Sequence, residues 1–115
     1  MDRGYKGSLA EKIALKELTF NGYEIVETNF TCKIGEIDII AIDNQELVFI
    51  EVRSKKDSNY GLPQETIDRT KKEKIRKVAL FYLKNKNKND FNCRFDVVSI
   101  IFEPKIMVEI IKDAF

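Results

Sequence analysis

The chain contains no histidine. That absence excludes Ser-His-Asp and Cys-His catalysis, and any nuclease mechanism built on a histidine base. Acid–base or metal chemistry must come from Asp, Glu, Lys, Arg, Tyr or water. Cysteine is scarce: Cys32 and Cys93 stand alone, without Cys-x-x-Cys spacing. A zinc site is therefore not expected, and both read as ordinary reduced residues. Long apolar runs are missing as well. None approaches the roughly 20 residues of a membrane helix, and Met1-Asp2-Arg3-Gly4-Tyr5-Lys6 is not followed by a signal-peptide core. The expected location is the cytoplasm, with no membrane partner. Linkers, repeats and low-complexity segments are also lacking, so residues 1–115 are expected to form one domain.

What is present is a soluble composition, 43% hydrophobic and 34% charged, with a net charge of +1. The charge is unevenly distributed. Residues 1–52 carry 5 basic and 10 acidic side chains, residues 53–94 carry 13 and 5, and residues 95–115 carry 2 and 4. The middle block can bind phosphate although the chain as a whole is near neutral; the alternative is a solvated helix face.

Apolar spacing predicts a helix from Ser8 to about Asn21, stopped by Gly22, and a strand from Tyr23 to Phe30. Two further strands, Glu36–Ile42 and Glu46–Val52, flank the turn signal Asp43-Asn44-Gln45-Glu46. A polar loop from Ser54 to Pro63 follows, then a long helix from about Gln64 to Asn85. Its expected inward residues are Ile67, Ile75, Val78, Ala79, Tyr82 and Leu83. After a polar turn over residues 84–90 come a strand from Arg94 to Phe102 and a last element, strand or short helix, over Lys105–Ile111. The order implies an α/β fold, a small mixed β-sheet flanked by α-helices.

Two acids are conspicuous on the paired strands. If the hairpin closes on Asn44-Gln45, facing residues sum to 89 and Asp38 lies opposite Glu51. Facing Cβ atoms there are ~5 Å apart, and like charges repel. A bound divalent cation would explain the pairing, because hard metals such as Mg²⁺ take carboxylate oxygens. A loop of odd length would put the acids on opposite faces. Asp38 shares its expected face with Ile40 and Ile42, a costly place for a charge. The competing reading is a strand-end Asp bonded to backbone amides. Arg53 points with Glu51 and, in the same register, faces Glu36; it is either one half of a cross-strand ion pair or a cation beside a metal site. Glu11 completes a Ser8-x-x-Glu11 capping box, yet on a helical wheel it falls between Leu15 and Leu18, so a third carboxylate ligand is an equal alternative. Lys71, Lys72, Lys74, Arg76 and Lys77 form a basic stripe that can hold a phosphate backbone.

Taken together, Gly7 to Ala14, Asn21-Gly22-Tyr23, Asn29, Gly35-Glu36-Ile37-Asp38, Phe49-Ile50-Glu51-Val52-Arg53, Lys71, Arg94-Phe95-Asp96-Val97-Val98 and Ala114-Phe115 resemble the YraN-like family of small bacterial proteins. That family is similar to archaeal Holliday-junction resolvases and belongs by fold to the PD-(D/E)XK superfamily. The resemblance implies a restriction-endonuclease-like domain with a metal site at the sheet edge. It implies Asp38 and Glu51 as ligands of Mg²⁺ or Mn²⁺, with Glu11 as an auxiliary ligand. The superfamily's lysine, two residues after the glutamate, is Arg53 here. Arginine stays protonated and cannot act as a base, though it can stabilise a phosphate transition state, and Lys55 can add an ammonium. The implied function is a metal-dependent endonuclease acting on DNA, branched or single-stranded, in repair, recombination or DNA uptake. Lys71, Lys72 and Arg76 would hold the backbone, and a homodimer is expected by analogy. The alternatives are a non-catalytic nucleic-acid-binding module of the same fold and a protein-interaction domain.

Overall fold

In the computed structural model the described residues are 3–87 and 91–115, with side chains from residue 7 onward. The element order is α1 (Arg3–Phe20), β1 (Glu24–Thr31), β2 (Glu36–Asp43), β3 (Glu46–Lys55), a short 3-10 turn (Pro63–Thr66), α2 (Arg69–Asn85), β4 (Cys93–Ile101) and β5 (Met107–Ile111). The five strands form one mixed sheet in the order β1-β2-β3-β4-β5. Only β3 and β4 run parallel, and α2 lies on the connection between them, as a parallel crossover requires.

The helices cover opposite faces. Ala10, Ala14 and Leu18 of α1 pack on Ile39, Ala41, Val48, Ile50, Val98 and Ile100. Ile75, Val78, Ala79 and Tyr82 of α2 pack on Ile37, Ile40, Leu47 and Phe49. Leu18 and Tyr82 are almost fully enclosed, and each such apolar side chain contributes ~1.5–3 kcal/mol by leaving water. This is an α/β fold of the restriction-endonuclease-like kind.

Several boundaries differ from the sequence expectation. α1 begins at Arg3, so Ser8 and Glu11 lie inside the helix and do not form its cap. The expected long helix is broken: Ile67 is extended, and Asp68 accepts the Lys71 N–H at 2.8 Å to cap a new helix. A side-chain cap satisfies an amide that helix geometry leaves open, which fixes the start of α2 at Arg69. The last element is a strand. Part of the expected turn over residues 84–90 lies outside the described residues.

The hairpin register is the expected one, with Asp43 facing Glu46 and Ile39 facing Ile50. Asn44 and Gln45 take φ of 50° and 68°, the two left-handed positions of a type I′ turn, whose twist matches the strands it joins.

A buried polar network locks this end of the sheet. Arg94 binds Asp96 through Nε at 2.8 Å, Asp43 at 2.7 Å and Glu46 at 3.0 Å, and the Tyr23 hydroxyl donates to Asp96 at 2.7 Å. The Asp113 N–H also donates to Asp96, which draws the chain's end against β4. Burial and the Asp96 carboxylate push the Tyr23 hydroxyl well up. Burial opposes ionisation of Asp43, but hydrogen bonds from Arg94 and Lys112 prevail and hold its carboxyl below the ordinary value.

Candidate metal and nucleic-acid site

The opposite end of the hairpin is irregular. The β2–β3 ladder stops at Ile39/Ile50, one step before Asp38 and Glu51. On the other side of β2, the β1 ladder passes from Thr28/Ile39 to Phe30/Ile37 and skips Asn29 and Asp38. Asn29 is left-handed, with φ of 53°. Ile37 and Ile40 both pack toward α2 whereas Ile39 packs toward α1, so strict alternation fails at Asp38. The half-buried carboxylate is thereby freed from a simple face assignment. It accepts the Val52 N–H at 2.8 Å. It also borders a cleft of about 150 Å³ lined by Gly7, Ala10, Glu11, Val52 and Ser54.

Glu51 is buried and lies close enough to Asp38 to bond it and repel its charge. Burial first, then the Glu51 charge, push the Asp38 carboxyl up from 3.8 to about 7. Both alternatives for Asp38 therefore hold at once: it bonds a backbone amide, and it faces the second carboxylate. Glu51 Oε2 is met by Arg53 at 2.9 Å and by Lys71 Nζ at 3.6 Å. Arg53 consequently pairs along its own strand and not with Glu36, whose carboxylate lies 3.4 Å from Thr31 Oγ1. Arg53 Nε is buried without a hydrogen-bond partner.

The other sequence candidates separate. Glu11 lines the same cleft as Asp38 and accepts from Asn29 Nδ2 at 2.9 Å. β3 continues to Lys55, but Lys55 Nζ donates to the Tyr60 carbonyl at 3.0 Å and holds the following loop. Arg76 lies over the Phe95 and Phe115 rings at 5.9 and 5.5 Å, and Lys72 over Phe115 at 5.9 Å. These two cations stack on the aromatic end of the chain, while Lys71 alone of the three reaches Glu51.

Two participants escaped sequence reasoning, and a third takes on a second contact. Asn29 sits opposite Asp38 and bonds Glu11; its signal was its place among the matched positions. Lys71, expected to hold a phosphate backbone, also meets Glu51. Gln64 accepts from Ser99 Oγ at 2.8 Å, and Ser99 is the β4 neighbour of Arg53, so the short turn before α2 is fastened beside the site. Nothing local in the sequence announced it.

Chemically, two close carboxylates of which one resists ionisation suit a hard divalent cation: a cation would offset the repulsion that raises Asp38. Among the described residues, no three of Asp, Glu, His and Cys are gathered closely enough to form a ready-made cage. The fit therefore rests on Asp38 and Glu51, with Glu11 across the adjoining cleft.

The fold is that of a small restriction-endonuclease-like α/β protein. The sequence profile of the Uncharacterised protein family UPF0102 matches residues 10–100, and the chain belongs to that family, the YraN-like family its residues resemble. A UPF0102 protein of Syntrophus aciditrophicus is 46% identical over 110 residues, covering 95% of this chain and 87% of its own. One from Moorella thermoacetica is 40% identical over 118 residues, with 100% and 98% covered. One from Persephonella marina is 47% identical over 96 residues, with 84% and 83% covered. Among the described residues, no helix is long and apolar enough to cross a membrane.

Proposed function

We propose that this chain is a metal-dependent DNA endonuclease that hydrolyses phosphodiesters in the cytoplasm during repair, recombination or DNA uptake. The observation that carries the reading is the Asp38–Glu51 pair, held where both ladders of β2 are interrupted and flanked by Lys71 and Arg53. Asp38 and Glu51 would hold Mg²⁺ or Mn²⁺, with Glu11 as an auxiliary ligand. When bound, the ion lowers the pKa of a coordinated water and offsets charge on the phosphate.

The chain's own residues supply the remainder. Lys71 brings an ammonium from α2 to the place where Arg53 stands in for the superfamily's strand lysine. Arg53 and Lys71 both lie on Glu51 Oε2, within reach of a phosphate seated there, and their charge stabilises the transition state. Val52 N–H fixes the Asp38 carboxylate in orientation. Asn29 holds Glu11 toward the cleft.

The test is cleavage of labelled four-way-junction, flap, single-stranded and linear duplex DNA with Mg²⁺, Mn²⁺ or EDTA. Metal-dependent cutting that is lost in Asp38→Asn, Glu51→Gln and Lys71→Met supports the enzyme. Salt-sensitive binding without cutting on any substrate favours the second reading, a non-catalytic DNA-binding module. The observation on its side is that both cations near Glu51 are already paired with it.

A further inference from the structure

The loop after β3 is tightly held yet presents an aromatic ring outward. Lys55 Nζ donates to the Tyr60 carbonyl at 3.0 Å, Gly61 N–H to the Ser58 carbonyl at 3.3 Å, and Leu62 N–H to Glu65 Oε1 at 3.3 Å. The Tyr60 ring is nevertheless 93% exposed. The loop is fixed through its backbone, and the largest side chain in it contributes nothing to the core.

Its position is specific. Lys55 follows Glu51 and Arg53 at spacing two, on the same face of β3. Each such step advances ~6.6 Å, so Lys55 lies ~13 Å along β3 from Glu51, and its bond to the Tyr60 carbonyl ties the loop that carries the ring to the same strand face. The 3-10 turn that follows is tied to the same face by the Gln64–Ser99 bond.

On the other flank lies a groove of about 400 Å³ between the β1–β2 turn and α2, lined by Ile34, Lys71, Lys74 and Lys77 among others. Its acids are engaged elsewhere: Asp68 caps α2, and Glu73 pairs with Arg69. Neither Lys74 nor Lys77 has a carboxylate partner among the described residues, and the Lys74 methylenes run beside Gly35. Lys71 belongs both to this groove and to the Glu51 contact, so groove and site are continuous.

A positive groove that reaches Glu51 through Lys71, together with an outward aromatic ring on the loop that leaves the Glu51 strand, suits an unpaired strand: cations follow the phosphates and a base stacks on the ring. A rigid duplex keeps its bases stacked inside and has none to offer Tyr60. We infer that the site takes an unpaired DNA strand, with Lys74 and Lys77 along its backbone and Tyr60 under one of its bases. The inference rests on the nuclease reading and names its substrate class.

The test is binding in EDTA, where no cutting intervenes, followed by fluorescence anisotropy of a labelled single strand and of a blunt duplex of the same sequence. Tyr60→Ala should weaken single-strand binding about 5- to 100-fold and leave duplex binding unchanged, and Tyr60→Phe should bind as the parent does. Lys74→Ala and Lys77→Ala should each reduce the slope of log affinity against log salt by roughly 0.7. Single-strand affinity unaltered in Tyr60→Ala, or equal loss on both DNAs, overturns the inference, as does failure of the parent protein to bind the single strand. The two readings fail separately. Cutting that needs Asp38 but not Tyr60 removes only this inference; Tyr60-dependent binding without cutting on any substrate removes only the nuclease.

Discussion

Asp38→Asn should make the metal-free protein more stable at alkaline pH and should abolish most of its pH dependence. The folded Asp38 carboxyl titrates near 7 against an ordinary 3.8, so the folded state binds its proton more tightly than the unfolded state does. The stability linked to that proton is fully present below about pH 4 and is lost as pH rises through about 7. Between pH 5 and 7 the loss is at most ~2.3 kcal/mol, at ~1.36 kcal/mol for each pH unit well below 7 and about half that rate at 7 itself. For a domain of this size that is a fall of roughly 10 °C in melting temperature. The absence of histidine makes the window clean, since no other side chain ordinarily titrates there. Asparagine reproduces the protonated form: its oxygen still accepts from Val52 and its NH₂ faces Glu51. Thermal melts in EDTA from pH 5 to 8 should therefore slope downward for the parent and stay nearly flat for the variant, the two converging at pH 5. A flat parent curve, or a variant that keeps the slope, would refute the picture of two repelling carboxylates.

Three further expectations follow from particular contacts. At pH 8, Mg²⁺ or Mn²⁺ should raise the parent's melting temperature through preferential binding to the folded state, and neither Asp38→Asn nor Glu51→Gln should respond; calorimetric titration checks the same point directly. Gln45→Gly should stabilise by about 0.5–1 kcal/mol in urea melts, because φ of 68° strains any side chain there and glycine relieves it. Arg94→Met should destabilise by about 3–5 kcal/mol, because it strands the fully buried Asp96 beside Asp43; a loss below 1 kcal/mol in the same melts would show that the network is not a lock.

Much of the frame was legible in the sequence because its determinants are local. The turn residues Asn44-Gln45 fix the hairpin register, the register brings Asp38 and Glu51 together one step beyond the last ladder pair, and Gly22 ends α1 where φ of 89° favours glycine. Apolar spacing identified Ile75, Val78, Ala79 and Tyr82 as the inward face of α2. The break at Ile67–Asp68 was less visible, since helical periodicity runs across it and only the Asp68 cap marks the new start.

The sequence by itself determined the hairpin and its register, and with them most of the sheet's two faces, since these follow from period and turn type along a short stretch of chain; the break in alternation at Asp38 did not show in it. Only the tertiary structure decided which cation meets which acid. Lys71 reaches Glu51 because α2 packs across the sheet at the angle set by its core residues; Lys55 is taken by a loop carbonyl, and Arg76 by the Phe95–Phe115 stack. Lysine and arginine side chains span ~6–7 Å and choose among all acceptors within that radius, and that choice is made by elements far apart in the chain.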